Sequence, residues 1–159
     1  NHRFFQCDWY PDVKSTIATL AHLTQGALAV VTNKPTNPTQ EILKAGGLLD
    51  SFQIVVGIDY RLRYGLGPLF SSKADAICLA RSRLNTKLSQ AFYIGDTPSD
   101  REACNASNIT FIAATYGFHQ WDNEDLANTP NIAAITELIP LLQENLKRKN
   151  NNAHMPSKP

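Results

Sequence analysis

Long apolar runs, an excess of either charge and a framework of cysteines are all missing from these 159 residues. A membrane-spanning helix needs about 20 consecutive apolar residues, and the longest runs here suit only short strands. Fifteen Lys and Arg face 14 Asp and Glu, a formal net charge of +1, so the basic face that phosphate-backbone binding requires is lacking. Neither nucleic acid nor a membrane is an expected partner. The one basic cluster, Lys147-Arg148-Lys149, opens a polar tail and reads as a solvated end. Cys7, Cys78 and Cys104 are too few and too scattered for a disulfide framework or a close-spaced zinc site. The expectation is free thiols in a reducing cytoplasm. His2, His22, His119 and His154 show no metal-ligand spacing. The start, Asn1-His2-Arg3-Phe4-Phe5, carries neither an initiator methionine nor a signal-peptide pattern, and is expected to be a truncation point.

What is present is an alternation of helix-like and strand-like segments, the pattern of a parallel sheet covered by helices. Val13, Ile17, Leu20 and Leu23 recur at helical spacing, and Gly26 closes that helix. Ala27 to Val31 is a continuous apolar run, as expected of a strand buried on both faces. Asn37-Pro38-Thr39 opens a second helix that fades at Gly46-Gly47, and Phe52 to Val56 is a second strand. Residues 57–71 read as a loop of uncommon length, with Arg61 and Arg63 in it. A helix follows from Ser72, then strands over Ala91 to Ile94 and Thr110 to Ala114, and a last helix from near Thr136 carrying Leu138, Leu142 and Leu146. The core domain is expected over 1–149, with a disordered tail over 150–159, where no apolar stripe remains. No internal repeat is present.

In open α/β sheets, ligands bind outside the carboxyl ends of the strands. The first strand ends Val31-Thr32-Asn33-Lys34, the third ends Ile94-Gly95-Asp96, and Asp100 follows four positions later. Lys73 begins the helix between them. A hydroxyl, an ammonium and two carboxylates on one edge describe a phosphoryl-transfer site, where positioning and charge neutralisation dominate. In that arrangement Thr32, Asn33 and Lys73 hold phosphate, and Asp96 and Asp100 hold Mg²⁺, which usually takes only one or two carboxylates. Asp-Thr-Pro-Ser is also good turn and N-cap chemistry. Lys34, Arg61 and Arg63 read as solvated.

Val31-Thr32-Asn33-Lys34, Lys73 and Gly95-Asp96-Thr97-Pro98-Ser99-Asp100 resemble, in order and spacing, the second, third and fourth motifs of the haloacid dehalogenase superfamily. The branch they most resemble is phosphoglycolate phosphatase. Tyr10-Pro11-Asp12-Val13 resembles the return from that family's cap, and Tyr116-Gly117 the turn after its last core strand. The resemblance implies a Rossmann-like, doubly wound parallel sheet and a Mg²⁺-dependent phosphatase. Its catalytic residues would include Thr32 and Lys73, its intermediate an aspartyl-phosphate, and its substrate a small phosphorylated metabolite. The family's nucleophile and general acid/base are an Asp-x-Asp pair ending the central strand, and no such pair occurs here. Asp8 is followed two positions on by Tyr10, not by an acid. The resemblance therefore implies a sheet incomplete at its central strand, marginal stability, and a nucleophile outside this chain.

Three readings stay open at this point: the C-terminal part of a phosphatase, a shortened inactive homologue that binds phosphate and metal for regulation, and an unrelated doubly wound domain. A receiver would place its acids first and its Lys last, the reverse of the order here. Gly65-Leu66-Gly67-Pro68 matches no nucleotide-binding loop. The natural substrate and the oligomeric state are not legible.

Overall fold

In the computed structural model, which describes residues 8–87 and 90–144, helices and strands alternate as the apolar pattern predicts. Helix α1 (Val13–Leu23) turns Thr16 and Leu20 inward, and Gly26 then reverses the chain at φ +82°, a conformation that a β-carbon resists. Strand β1 (Ala29–Val31) leads to α2 (Thr36–Ala45) and β2 (Ile54–Val56). After a short α3 (Tyr60–Arg63) come α4 (Lys73–Arg83), β3 (Phe92–Gly95), α5 (Pro98–Ser107) and β4 (Thr110–Ala114). Helix α6 (Asn123–Ala127), β5 (Asn131–Ile132) and a helical stretch over 138–144 complete the described residues.

Every strand pairing is parallel, in two separate sheets. β1 pairs with β2, and β3, β4 and β5 pair in that order, so among the described residues no strand lies between β1 and β3. Side chains alternate across both sheets. Val30 and Val55 face Leu43 and Leu48, while Ala29, Val31 and Val56 lie against Ala76 and Ala80 of α4. In the other sheet Phe111 and Ala113 pack on Ile77 of α4 and on Ala103 and Cys104 of α5. Ile112 and Ile132 turn the opposite way, onto Leu20 of α1 and Leu138. Helices thus cover both faces, and the architecture is the doubly wound α/β sheet that was expected, incomplete at its centre.

The two sheets are joined through shared helices. Helix α4 packs on both, and Ile17 of α1 reaches both apolar clusters on the other face. Between β1 and β3 they leave an apolar slot of about 200 Å³, bordered by Leu28, Ala29 and Val31 on one side and by Phe92, Tyr93 and Ile94 on the other.

Several boundaries differ from expectation. The first strand begins at Ala29 rather than Ala27, because Gly26 and Ala27 are still in the turn, where the Ala27 N–H donates to the Thr24 carbonyl. The second helix begins at Thr36, with Pro35 as its extended cap, and Pro38 falls inside its first turn. The long loop over 57–71 contains α3. Helix α6 and strand β5 are elements the sequence pattern does not announce, and α5 is signalled only by the N-cap chemistry at its start. The basic cluster 147–149, Leu146, Cys7 and the tail over 150–159 lie outside the described residues.

Candidate active site

A local signal delivers each charged group. The Ser72 hydroxyl caps α4 reciprocally, accepting from the Asp75 N–H at 3.2 Å and donating to Asp75 Oδ2 at 3.0 Å. That fixes Lys73 as the first helical residue. Thr97 and Asp100 form a capping box on α5, with Pro98 in the first turn. The Thr97 hydroxyl donates to Asp100 Oδ2 at 2.8 Å, and the Asp100 N–H donates to Thr97 Oγ1 at 3.2 Å.

Lys73 and Asp100, 27 positions apart, meet as an ion pair between Nζ and Oδ1. Asp100 is buried, 4% exposed. Burial raises its carboxyl pKa, but hydrogen bonds from Lys73 and Thr97, with the Lys73 charge, outweigh that and hold it below the usual range. The Tyr93 hydroxyl sits 3.4 Å from the same Oδ1 and 3.3 Å from the Val31 carbonyl oxygen, sharing its proton between them. Burial, then the Asp100 charge, pushes the Tyr93 phenol well above its ordinary value, so it remains a donor. Through Tyr93 the end of β1 is tied to the acidic end of β3.

Thr32 follows Val31 directly, is half-buried, and accepts the Lys34 N–H at 3.1 Å on its Oγ1. Asn33 and Lys34 are exposed beside it. Asp96 is positioned by the turn after β4: the Phe118 N–H donates to its Oδ2 at 2.9 Å. Gly117 has no room for a side chain, since a β-carbon there would stand 2.2 Å from Asp96 Cβ and 2.6 Å from Oδ2. Gly95 is equally constrained, with an added β-carbon 2.7 Å from Asp100 Cβ. Sequence reasoning missed Tyr93, which looks like an ordinary strand aromatic, and the Phe118 N–H, which no side-chain pattern announces. Gly117 was legible only as a turn glycine. Arg61 lies apart, over the Phe70 ring and bonded to Leu66 O at 3.4 Å, and Asp8 is exposed.

The donors suit Mg²⁺ in part. Two carboxylates, Asp96 after β3 and Asp100 in the first turn of α5, match its hard-oxygen preference and its habit of taking few protein ligands. Asp96 keeps Oδ1 outside its bond to Phe118, whereas both Asp100 oxygens have protein partners. Among the described residues no third His, Cys, Asp or Glu joins a metal-binding group. Residues 1–114 match the family model described as haloacid dehalogenase-like hydrolase. The chain belongs to that family. It is 29% identical over 147 residues to phosphoglycolate phosphatase of Escherichia coli strain K12, covering 89% of this chain and 55% of the relative. The corresponding enzyme of Pectobacterium atrosepticum is 29% identical over 135 residues, 82% of this chain and 53% of the relative. Among solved structures, a predicted phosphatase from Clostridium acetobutylicum superposes with a TM-score of 0.70 at 28% identity, covering 85% of this chain and 60% of that one. The chain thus spans about half the length of the curated relatives it matches, and the haloacid dehalogenase-like fold accounts for its doubly wound sheet.

Proposed function

We propose that these residues form the phosphate and metal half of a Mg²⁺-dependent phosphatase acting on a small phosphate monoester, phosphoglycolate-like in class. The nucleophilic aspartate would come from polypeptide outside the 159 residues. One observation carries the reading. Lys73 at the start of α4 pairs with Asp100 in the first turn of α5, and the Tyr93 hydroxyl joins Asp100 to the Val31 carbonyl, one residue before Thr32, while Asp96 directly follows β3. Thr32 and the exposed backbone at Asn33 would receive phosphate oxygens. Lys73, a compact cation, would neutralise them. Asp96 and Asp100 would hold Mg²⁺, which when bound offsets phosphate charge and orients the ester.

Lys73 and Asp100 now satisfy each other, which leaves Lys73 to be shared with an arriving phosphate. That closed pair also favours a second reading, a binding homologue without turnover. Relatives named phosphoglycolate phosphatase support the first.

The test uses p-nitrophenyl phosphate. The 159-residue chain should release no phosphate. A polypeptide joining these residues to a strand ending in Asp-x-Asp should hydrolyse the ester only with Mg²⁺, and Asp96→Asn should remove that activity by roughly 10³-fold or more. Full activity in Asp96→Asn, or turnover by the short chain, overturns the reading.

A further inference from the structure

We infer that Asp59, acting through Thr36, is a positioning residue for the loop that receives phosphate, a role that rests on the phosphate site read above and adds a residue to it. Asp59 is a cap that points away from its own helix. It stands at the N-cap of α3, yet its carboxylate makes no cap bond there, although an N-cap aspartate ordinarily bonds the first turn of the helix it begins. Instead it crosses to α2. There Asp59 Oδ1 accepts both the Thr36 N–H and the Thr36 hydroxyl, each at 2.7 Å. Helix α2 needs an acceptor from outside because its own cap residue is Pro35, which has no side-chain oxygen to offer the first N–H groups. Helix α3 in turn fixes the Asp59 backbone, whose carbonyl accepts the Arg63 N–H at 2.9 Å.

The residues before Asp59 complete the clamp. The Ile58 N–H donates to Lys34 O at 3.1 Å, and the Gly57 N–H donates to Thr36 Oγ1 at 3.2 Å. Gly57 has no room for a side chain, since a β-carbon there would stand 2.4 Å from Thr36 N and 2.6 Å from Lys34 O. At the start of the loop the Thr32 N–H donates to Val56 O at 3.0 Å. Residues 32–36 are thus pinned to the end of β2 at both ends and in the middle.

The pinning sets which groups remain for an anion. The Thr32 and Thr36 N–H groups are spent on Val56 O and Asp59 Oδ1, the Lys34 N–H is spent on Thr32 Oγ1, and Pro35 carries none. Among the described residues, the Asn33 N–H is the backbone donor of this loop left without a partner. Because Thr32 Oγ1 accepts from Lys34, its own proton is left to donate outward. The N-terminus of α2 would otherwise compete for phosphate, but Asp59 already fills it with the protein's own carboxylate. Phosphate is directed to Thr32 Oγ1 and Asn33 N, and away from the helix.

The probe is inorganic phosphate, titrated into the ¹⁵N-labelled 159-residue chain at constant ionic strength with Mg²⁺ present. In the parent, saturable shifts should centre on the Asn33 amide. Loss of a nearby carboxylate would by charge alone tighten anion binding, whereas a positioning role predicts the opposite sign. Asp59→Ala should weaken phosphate about fivefold or more, with the Val30 and Val56 amides still protected because β1 and β2 remain folded. Asp59→Asn keeps the acceptor for Thr36 and should bind within about twofold of the parent. Gly57→Ala keeps every polar partner but crowds the loop, and should weaken phosphate as Asp59→Ala does. If Asp59→Ala loses the Val30 and Val56 protection, the other two variants decide. Tighter or unchanged binding in folded Asp59→Ala, an Asp59→Asn variant that binds fivefold or more below the parent, at about the loss expected for Asp59→Ala, or parental affinity in Gly57→Ala overturns the role of Asp59 and leaves the phosphate site standing. No shift at Asn33 in the parent overturns the phosphate site and the role of Asp59 together.

Discussion

The two halves of the sheet are built from similar sequence and reach different degrees of burial. In the half formed by β3, β4 and β5, the central strand β4 is paired on both edges, and every residue from Phe111 to Ala114 is buried. In the half formed by β1 and β2, each strand is three residues long and β1 is only half-buried throughout, though Ala29-Val30-Val31 is as apolar as Phe111-Ile112-Ala113. A strand's burial is conferred by neighbours on both edges, and β1 has one. A two-stranded unit is marginal alone. Here side-chain bonds help hold it: the Thr36 N–H and hydroxyl both donate to Asp59 Oδ1 at 2.7 Å, and the Gly57 N–H donates to Thr36 Oγ1 at 3.2 Å.

Four substitutions would break or sharpen this contrast. The largest effect is expected at Ile112, 2% exposed: Ile112→Ala should cost about 4 kcal/mol, whereas Val31→Ala in the half-buried strand should cost about 1 kcal/mol. Urea unfolding of both variants measures the difference, and equal costs would show that β1 is as well packed as β4.

Next is Lys73→Met, which leaves the Asp100 carboxylate buried and unpaired at the junction of the halves. About 3 kcal/mol should be lost. Because the folded pKa of Asp100 is depressed, its stabilisation is complete well above the ordinary carboxylate value near ~3.9, and is lost as pH falls through the folded value. Urea midpoints of the parent should therefore decline below about pH 4, and the Lys73→Met variant should decline less. An unchanged acid limb would mean that the pair does not hold Asp100 ionised.

A smaller effect than at Ile112 or Lys73 is expected for Thr36→Val, at a position with 0% exposure. It removes the hydroxyl between Asp59 and Gly57 and should cost about 1.5 kcal/mol. The Thr36 N–H, first, and its hydroxyl, second, hold the Asp59 carboxyl below its usual range. That contribution too is present at neutral pH and vanishes in acid, so the cost of Thr36→Val should shrink below about pH 4. Amide exchange at Ile58 and Tyr60, compared with Ile112, locates the loss in the smaller half.

Much of the fold was legible because periodicity and punctuation agreed. Val13 to Leu23, the Gly26 stop, and the run from Thr110 to Ala114 all stand where the pattern put them. The site was legible as residues on strand ends and at a helix start, since Gly95-Asp96, Ser72-Lys73 and Thr97-Pro98 carry their own turn and cap chemistry. β5 was not legible: two residues, Asn131–Ile132, give no alternation to read. Helix α6 is five residues and buries none. The Tyr93 bridge and the Phe118 N–H were hidden for a different reason. They depend on which strand edge faces which, and that follows from the missing pairing between β1 and β3 rather than from local sequence.

Since α4 touches both half-sheets, the width of the gap is set by a helix rather than by hydrogen bonds across it. The order of assembly need not follow the order of the sheet. The scaffold on either side can consolidate first and receive its middle last, as an arch stands on its centring before the keystone is set.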